Sequence, residues 1–159
     1  MFKEVKVKCV LSEPITSRCF CVLETVDGQF FVPINLCESG AEAIYVELNK
    51  IVPPRPMTFD FISSILSAVD DLVLEKVIIY DVENCIFKAK MIISHNGIEK
   101  EIDCRPSDAI ALSLRMNCPI LIADKLIYDD KCICKEKLSK KGSKVIERLF
   151  SEKSGLFNM

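Results

Sequence analysis

What most constrains this chain is the order in which its turns and periodic segments recur. Two glycine dipeptides, Asp27-Gly28 and Asn96-Gly97, each stand between segments of strand character. Such dipeptides tolerate the positive φ that a tight hairpin turn needs. Strands are expected at residues 4–11, 18–25 and 29–34, followed by a helix over 41–50 in which Ile44 and Leu48 share a face. The second half reads the same way: strands at 73–80, 84–94 and 99–104, a helix over 107–116, then a short buried strand at 119–123. A shift of 66 residues brings Cys19 onto Cys85, Glu42 onto Asp108, Ala43 onto Ala109, Ile44 onto Ile110, Leu48 onto Leu114 and Pro53 onto Pro119. A duplicated β-β-β-α unit follows, with repeats at about 3–53 and 73–123. A three-stranded hairpin with one helix buries too little by itself, so the two units should share one core. Antiparallel hairpins with helices gathered beside them make an α+β domain over residues 1–130, with mixed or antiparallel sheets.

Between the repeats, Val52-Pro53-Pro54-Arg55-Pro56 breaks the chain, because proline stops a helix and holds an extended connector. Thr58 is the expected N-cap of a helix over 59–69, whose Phe61, Ile62, Ile65, Leu66 and Val69 recur at helical spacing. Phe30, Phe31, Phe59 and Phe61 read as core side chains, not as a base-stacking surface.

A chain of 159 residues can bury a sizeable core without disulfides or metal. No apolar run approaches the ~18–20 residues that cross a bilayer. The opening MFKEVKVKCVL lacks the apolar stretch of a secretion signal, and nine cysteines without one suggest a reducing cytosol with free thiols. Cys19/Cys21 and Cys132/Cys134 are separated by one residue, shorter than usual zinc spacing; on a strand each pair faces one side. One histidine excludes a pair of histidines acting as acid and base, and His95 belongs to an exposed turn. Residues 131–159 carry eight bases and three acids, whereas residues 1–130 carry thirteen bases and twenty acids. An acidic body with a basic tail is not the footprint of a dedicated nucleic-acid binder. The tail reads as a solvated lysine-rich helix over about 135–150 that could touch phosphates.

Residues 102–115 read IDCRPSDAIALSLR. Pro106 suits a first helical position, and Asp108 then meets the positive end of the helix dipole. Arg105 is the unusual member, because a cation there needs an anion nearby. Two partners stay open: Asp103 or Asp108 in an internal ion pair, or a bound phosphate at the helix start.

This stretch resembles the signature of the bifunctional nuclease family, Ile-Asp-x-Arg-Pro-Ser-Asp-Ala-Ile-Ala-Leu-x-x-Arg, at Ile102, Asp103, Arg105, Pro106, Ser107, Asp108, Ala109, Ile110, Ala111, Leu112 and Arg115. Pro54-Arg55-Pro56-Met57-Thr58 with Asp60 is similar to a second block of that family, and Ala41-Glu42-Ala43-Ile44 to its first helix. Phe59 stands where the family has histidine and Gly40 where it has glutamate. The resemblance implies a cytoplasmic, self-associating α+β domain, a homo-dimer or higher homo-oligomer, with DNase and RNase activity and no membrane partner.

Phosphodiester hydrolysis needs an activated water and charge stabilisation on the phosphate. It uses either carboxylates around divalent cations or a His/Lys/Arg acid–base set. With one histidine the first design is expected. Asp103, Asp108, Asp60 and Glu42 are then the catalytic residues, with Asp103 and Asp108 as ligands if Mg²⁺ or Mn²⁺ is held. Arg105, Ser107, Arg55 and Thr58 are the substrate-binding set. The alternative is a non-catalytic oligomeric module that binds nucleotide or another anion at the Arg105 helix start.

Overall fold

A computed structural model describes residues 1–13 and 15–127. The expected basic helix, the tail and Cys132/Cys134 lie outside these residues. Seven strands form one mixed sheet with helices packed on it, an α+β fold as expected. The first unit comprises β1 (Phe2–Ser12), β2 (Cys19–Thr25), β3 (Phe31–Leu36) and α1 (Glu38–Leu48). After α2 (Thr58–Ala68), the second comprises β4 (Leu72–Glu83), β5 (Ile86–His95), β6 (Ile98–Cys104) and α3 (Pro106–Met116). The described chain finishes with β7 (Ile120–Ala123) and α4 (Asp124–Ile127), a short helix the sequence did not announce.

Each unit is an antiparallel meander, and the two meet at β7, in the order β3-β2-β1-β7-β4-β5-β6. β7 runs antiparallel to β1 over Phe2–Val5 and parallel to β4 over Val77–Ile79. The first strands of the two units therefore point in opposite directions, as in a local two-fold arrangement. α1 lies against β1 and β2, α3 against β4 and β5, and the two helices pack on each other. The fully buried side chains Leu23, Ile34, Ile44, Ile79, Ile110 and Ile122 come from both units and from β7. That is the single shared core the duplicated pattern implies, driven by the removal of apolar surface from water.

Asn96 and Gly97 both have positive φ, 52° and 77°, as a two-residue hairpin turn of mirror-image type demands. A second left-handed pair, Asn84 (φ 51°) and Cys85 (φ 64°), joins β4 to β5. β4 therefore continues through Glu83, and residues 84–85, read as the start of a strand, form the turn. Six of the described cysteines are free thiols, but Cys85 is disulfide-bonded, which corrects the expectation that all the thiols stay free.

α1 starts three residues before the expected helix. A Cβ built on Gly40 would lie 2.6 Å from Ser107 Cβ, so the glycine that reads as a loop residue is what lets α1 approach α3. Met57, not Thr58, is the N-cap of α2. Asp60, three residues on, reaches back to accept the Met57 N–H at 2.9 Å and does the capping instead. α2 packs on α3 and β4 through Phe59 and Ile62 but has no fully buried residue. Phe61 is 61% exposed, with Ile65 and Val69 exposed beside it, so Phe61 is not a core side chain. The apolar stripe is wider than the face that α2 turns to α3 and β4.

Candidate functional site: the groove between two helix starts

The close approach at Gly40 and Ser107 sets the beginnings of α1 and α3 side by side. Their N-cap residues are Cys37 and Arg105. Between these helix starts and the β4–β5 turn lies an open groove of about 290 Å³ whose lining includes Cys37, Cys85, Phe87, Arg105 and Ser107.

Pro106 occupies the first position of α3, and Asp108 sits in its first turn, as the sequence suggests. Arg105 donates from Nε to Asp108 Oδ2 at 2.8 Å and from Nη2 to Oδ1 at 2.9 Å, a two-pronged ion pair. The local carboxylate is therefore the partner Arg105 has taken. The pair stays open to water, with side-chain exposures of 68% for Arg105 and 24% for Asp108. Hydrogen bonding to Asp108 and its charge push the Arg105 pKa up further, so the guanidinium is permanently charged. An exposed pair of this kind holds weakly, and a phosphate presents the same two-oxygen face to a guanidinium.

Ser107 faces the groove while being only 4% exposed. Its hydroxyl has no hydrogen-bond partner among the described residues. A hydroxyl can donate or accept, so Ser107, lining the groove beside the Arg105 guanidinium, can meet an incoming phosphate oxygen.

Cys37 escaped the sequence reading. Its Sγ lies 3.4 Å from Ser39 Oγ, and the thiol is exposed. Although α1 has no side-chain cap hydrogen bond, the Ser39 hydroxyl, the Gly40 N–H and the Arg105 charge all lower the Cys37 pKa. A cysteine standing where serine or aspartate usually caps a helix was the available signal.

The other expected site residues go elsewhere. Asp103 is exposed on β6, opposite Lys90 on β5. Glu42 is exposed on α1; Arg55 and Thr58 are exposed, before and at the start of α2. Asp60 accepts Arg115 Nε at 2.7 Å, and a low pKa, caused first by this bond and then by the Met57 N–H, keeps it ionised. Arg115 is at the other end of α3, seven residues and roughly 10 Å along the helix from Asp108. Of the eight expected residues, the groove gathers Arg105, Ser107 and, through Arg105, Asp108. The set is partly assembled: Asp60 secures helix packing, and Glu42 is exposed on α1 outside the groove lining.

Among the described residues no three His, Cys, Asp or Glu side chains are grouped so as to hold a metal ion. Both oxygens of Asp108 are engaged by Arg105, so Asp103 and Asp108 do not form a ready-made cation site.

Two kinds of comparison bear on the chain. A family model described as the bifunctional nuclease domain matches residues 21–135. Uncharacterized proteins of two Mycobacterium tuberculosis strains, CDC 1551 / Oshkosh and ATCC 25618 / H37Rv, are each 31% identical over 124 residues. That alignment covers 78% of this chain and 73% of either relative.

Proposed function

Because the chain belongs to the bifunctional nuclease domain family, we propose that it binds the phosphodiester backbone of DNA or RNA at the start of α3 and hydrolyses it with low sequence specificity. The observation that carries this reading is the exposed Arg105–Asp108 pair beside Ser107 in the lining of the groove. An incoming phosphate takes the guanidinium fork of Arg105 and accepts the Ser107 hydroxyl. Asp108 is thereby released next to the bound phosphate, where its carboxylate accepts a proton from the attacking water. The leaving oxygen is protonated from solvent.

Family membership supports a nucleic-acid partner. No described helix is long and apolar enough to cross a membrane. The exposed Phe61 and Ile65, one turn apart on α2, with the exposed Val69 at its C-cap, support self-association into a homo-dimer or higher homo-oligomer. A cytoplasmic location would supply the substrates. The separation of Asp60 and Glu42 from the groove favours a second reading, an anion-binding module without turnover.

The test is cleavage of single-stranded DNA and RNA by the full chain, with and without Mg²⁺ or Mn²⁺. Activity is expected in the wild type and lost in Arg105→Ala and Asp108→Ala. Unchanged activity in both variants removes the groove from the reaction. Retained binding with no turnover in the wild type selects the second reading.

A further inference from the structure

The two edges of the sheet are not alike. β3 contains Pro33, which has no N–H to offer, and its Val32, Ile34 and Leu36 are buried. β6 forms the opposite edge and pairs with β5 in unbroken register from Ile98 to Cys104. It contains no proline, and every residue from Ile98 to Asp103 is exposed. The backbone groups of β6 that point away from β5 meet no further strand among the described residues. A regular, open edge of this kind is a template for one more strand. We propose that the β6 edge is a docking site for an extended, basic segment of a partner protein, which joins the sheet as an additional strand.

The side chains of β6 define what that segment must carry. Successive residues of a strand face opposite sides of the sheet. Ile98, Lys100 and Ile102 share the face of Met91 and Ile93, which pack against the core, yet Ile98 and Ile102 are 64% and 41% exposed. Glu99, Glu101 and Asp103 make an acidic row on the other face, where Lys90 of β5 holds Glu101 at 2.9 Å. Opposite charges and apolar pairs directly across two strands stabilise the pairing. The complementary segment therefore has Lys or Arg opposite the three acids, apolar residues opposite Ile98 and Ile102, and an acid opposite Lys100. Backbone hydrogen bonds hold such a strand, and the alternating side chains select it.

Two other occupants fit less well. If β6 of a second copy paired antiparallel about a two-fold axis, residues of the same face would meet. Glu101 would then stand opposite Glu101, Glu99 or Asp103, and like charges directly opposite destabilise a strand pair. A nucleic acid would meet the acidic row with its own negative charge. The docking site is thus independent of the phosphate-binding reading of the groove.

The test uses the full chain and a capped, fluorescent peptide, Lys-Val-Lys-Glu-Lys-Val, with the same residues reordered as Lys-Lys-Lys-Glu-Val-Val for control. In anisotropy titrations the alternating peptide should bind at least about tenfold more tightly than the control. Hydrogen exchange read by mass spectrometry should show amides within residues 98–104 that exchange fast in the chain alone and slow when the peptide is added. Glu99→Lys and, separately, Ile98→Thr should each weaken the alternating peptide by about threefold or more. Both positions are exposed and both variants should fold, which circular dichroism checks. Equal binding of the two peptides, no binding of either, or protection that appears elsewhere overturns the proposal. So does unchanged affinity in both variants. A β6 edge already protected in the chain alone also overturns it, because other residues of the chain or a second copy would then cover the edge.

Discussion

Arg115 Nε donates to Asp60 Oδ1 at 2.7 Å across 55 residues of chain, from a side chain only 4% exposed. The same guanidinium donates to the carbonyl oxygens of Ala111 at 3.0 Å and Ala43 at 3.2 Å, and lies 5.7 Å from the Phe59 ring centre. One arginine thus joins α1, α2 and α3, and its charge needs Asp60. Asp60→Ala should destabilise the fold by about 2–3 kcal/mol, below the full cost of stranding a buried charge because Asp60 is partly exposed. A double-mutant cycle with Arg115→Met in urea denaturation measures the coupling; additive losses would show that the pair does not act as a unit.

The same pair sets an acid dependence. Bonding to Arg115 and Met57 lowers the Asp60 pKa in the folded state. Its contribution is therefore complete above the unfolded carboxylate value, about 4, and is lost as pH falls through the lower folded value. Urea midpoints from neutral pH down to about 3 should converge for the wild type and Asp60→Asn. A gap that persists at the acid end would mean the Asp60 effect is not electrostatic.

Gly40 offers a steric test of how the groove is built. Where its missing Cβ would be, the nearest atoms are Ser107 Cβ at 2.6 Å, Ser107 Oγ at 3.0 Å and Cys37 Sγ at 3.3 Å. Gly40→Ala should overpack the α1–α3 contact and cost roughly 1–3 kcal/mol. Adding Ser107→Gly removes the opposing Cβ and should recover part of the loss, although glycine in a helix costs about 1 kcal/mol by itself. Thermal melts of the two single variants and the double variant decide it; no recovery would mean that the strain is relieved elsewhere.

These residues also show what could be read in advance. The Asn96-Gly97 turn was legible because the dipeptide carries its own positive-φ preference, and both angles are positive. The Asn84-Cys85 turn was not, because cysteine has no such preference and only strand pairing forces it there. The Arg105–Asp108 pair was legible because helical geometry places i and i+3 together. The Asp60–Arg115 pair depends on how α2 lands on α3, which local pattern does not encode. Cys37 went unread for a similar reason: its neighbourhood arises only when α1 begins early and is drawn against α3 by Gly40.

Asp108→Asn separates two roles for the carboxylate. If Asp108 only neutralises Arg105, removing its charge frees the guanidinium, and phosphate binding should strengthen without loss of turnover. If it also accepts the proton from water, binding should strengthen while cleavage falls by about 10²–10⁴-fold, the usual contribution of a positioned general base. Stability should change little, because the pair is exposed. Oligonucleotide affinity and single-turnover cleavage measured on the same preparation discriminate the cases. Weaker binding by Asp108→Asn would contradict both, and would mean that the carboxylate holds Arg105 in the posture that receives phosphate.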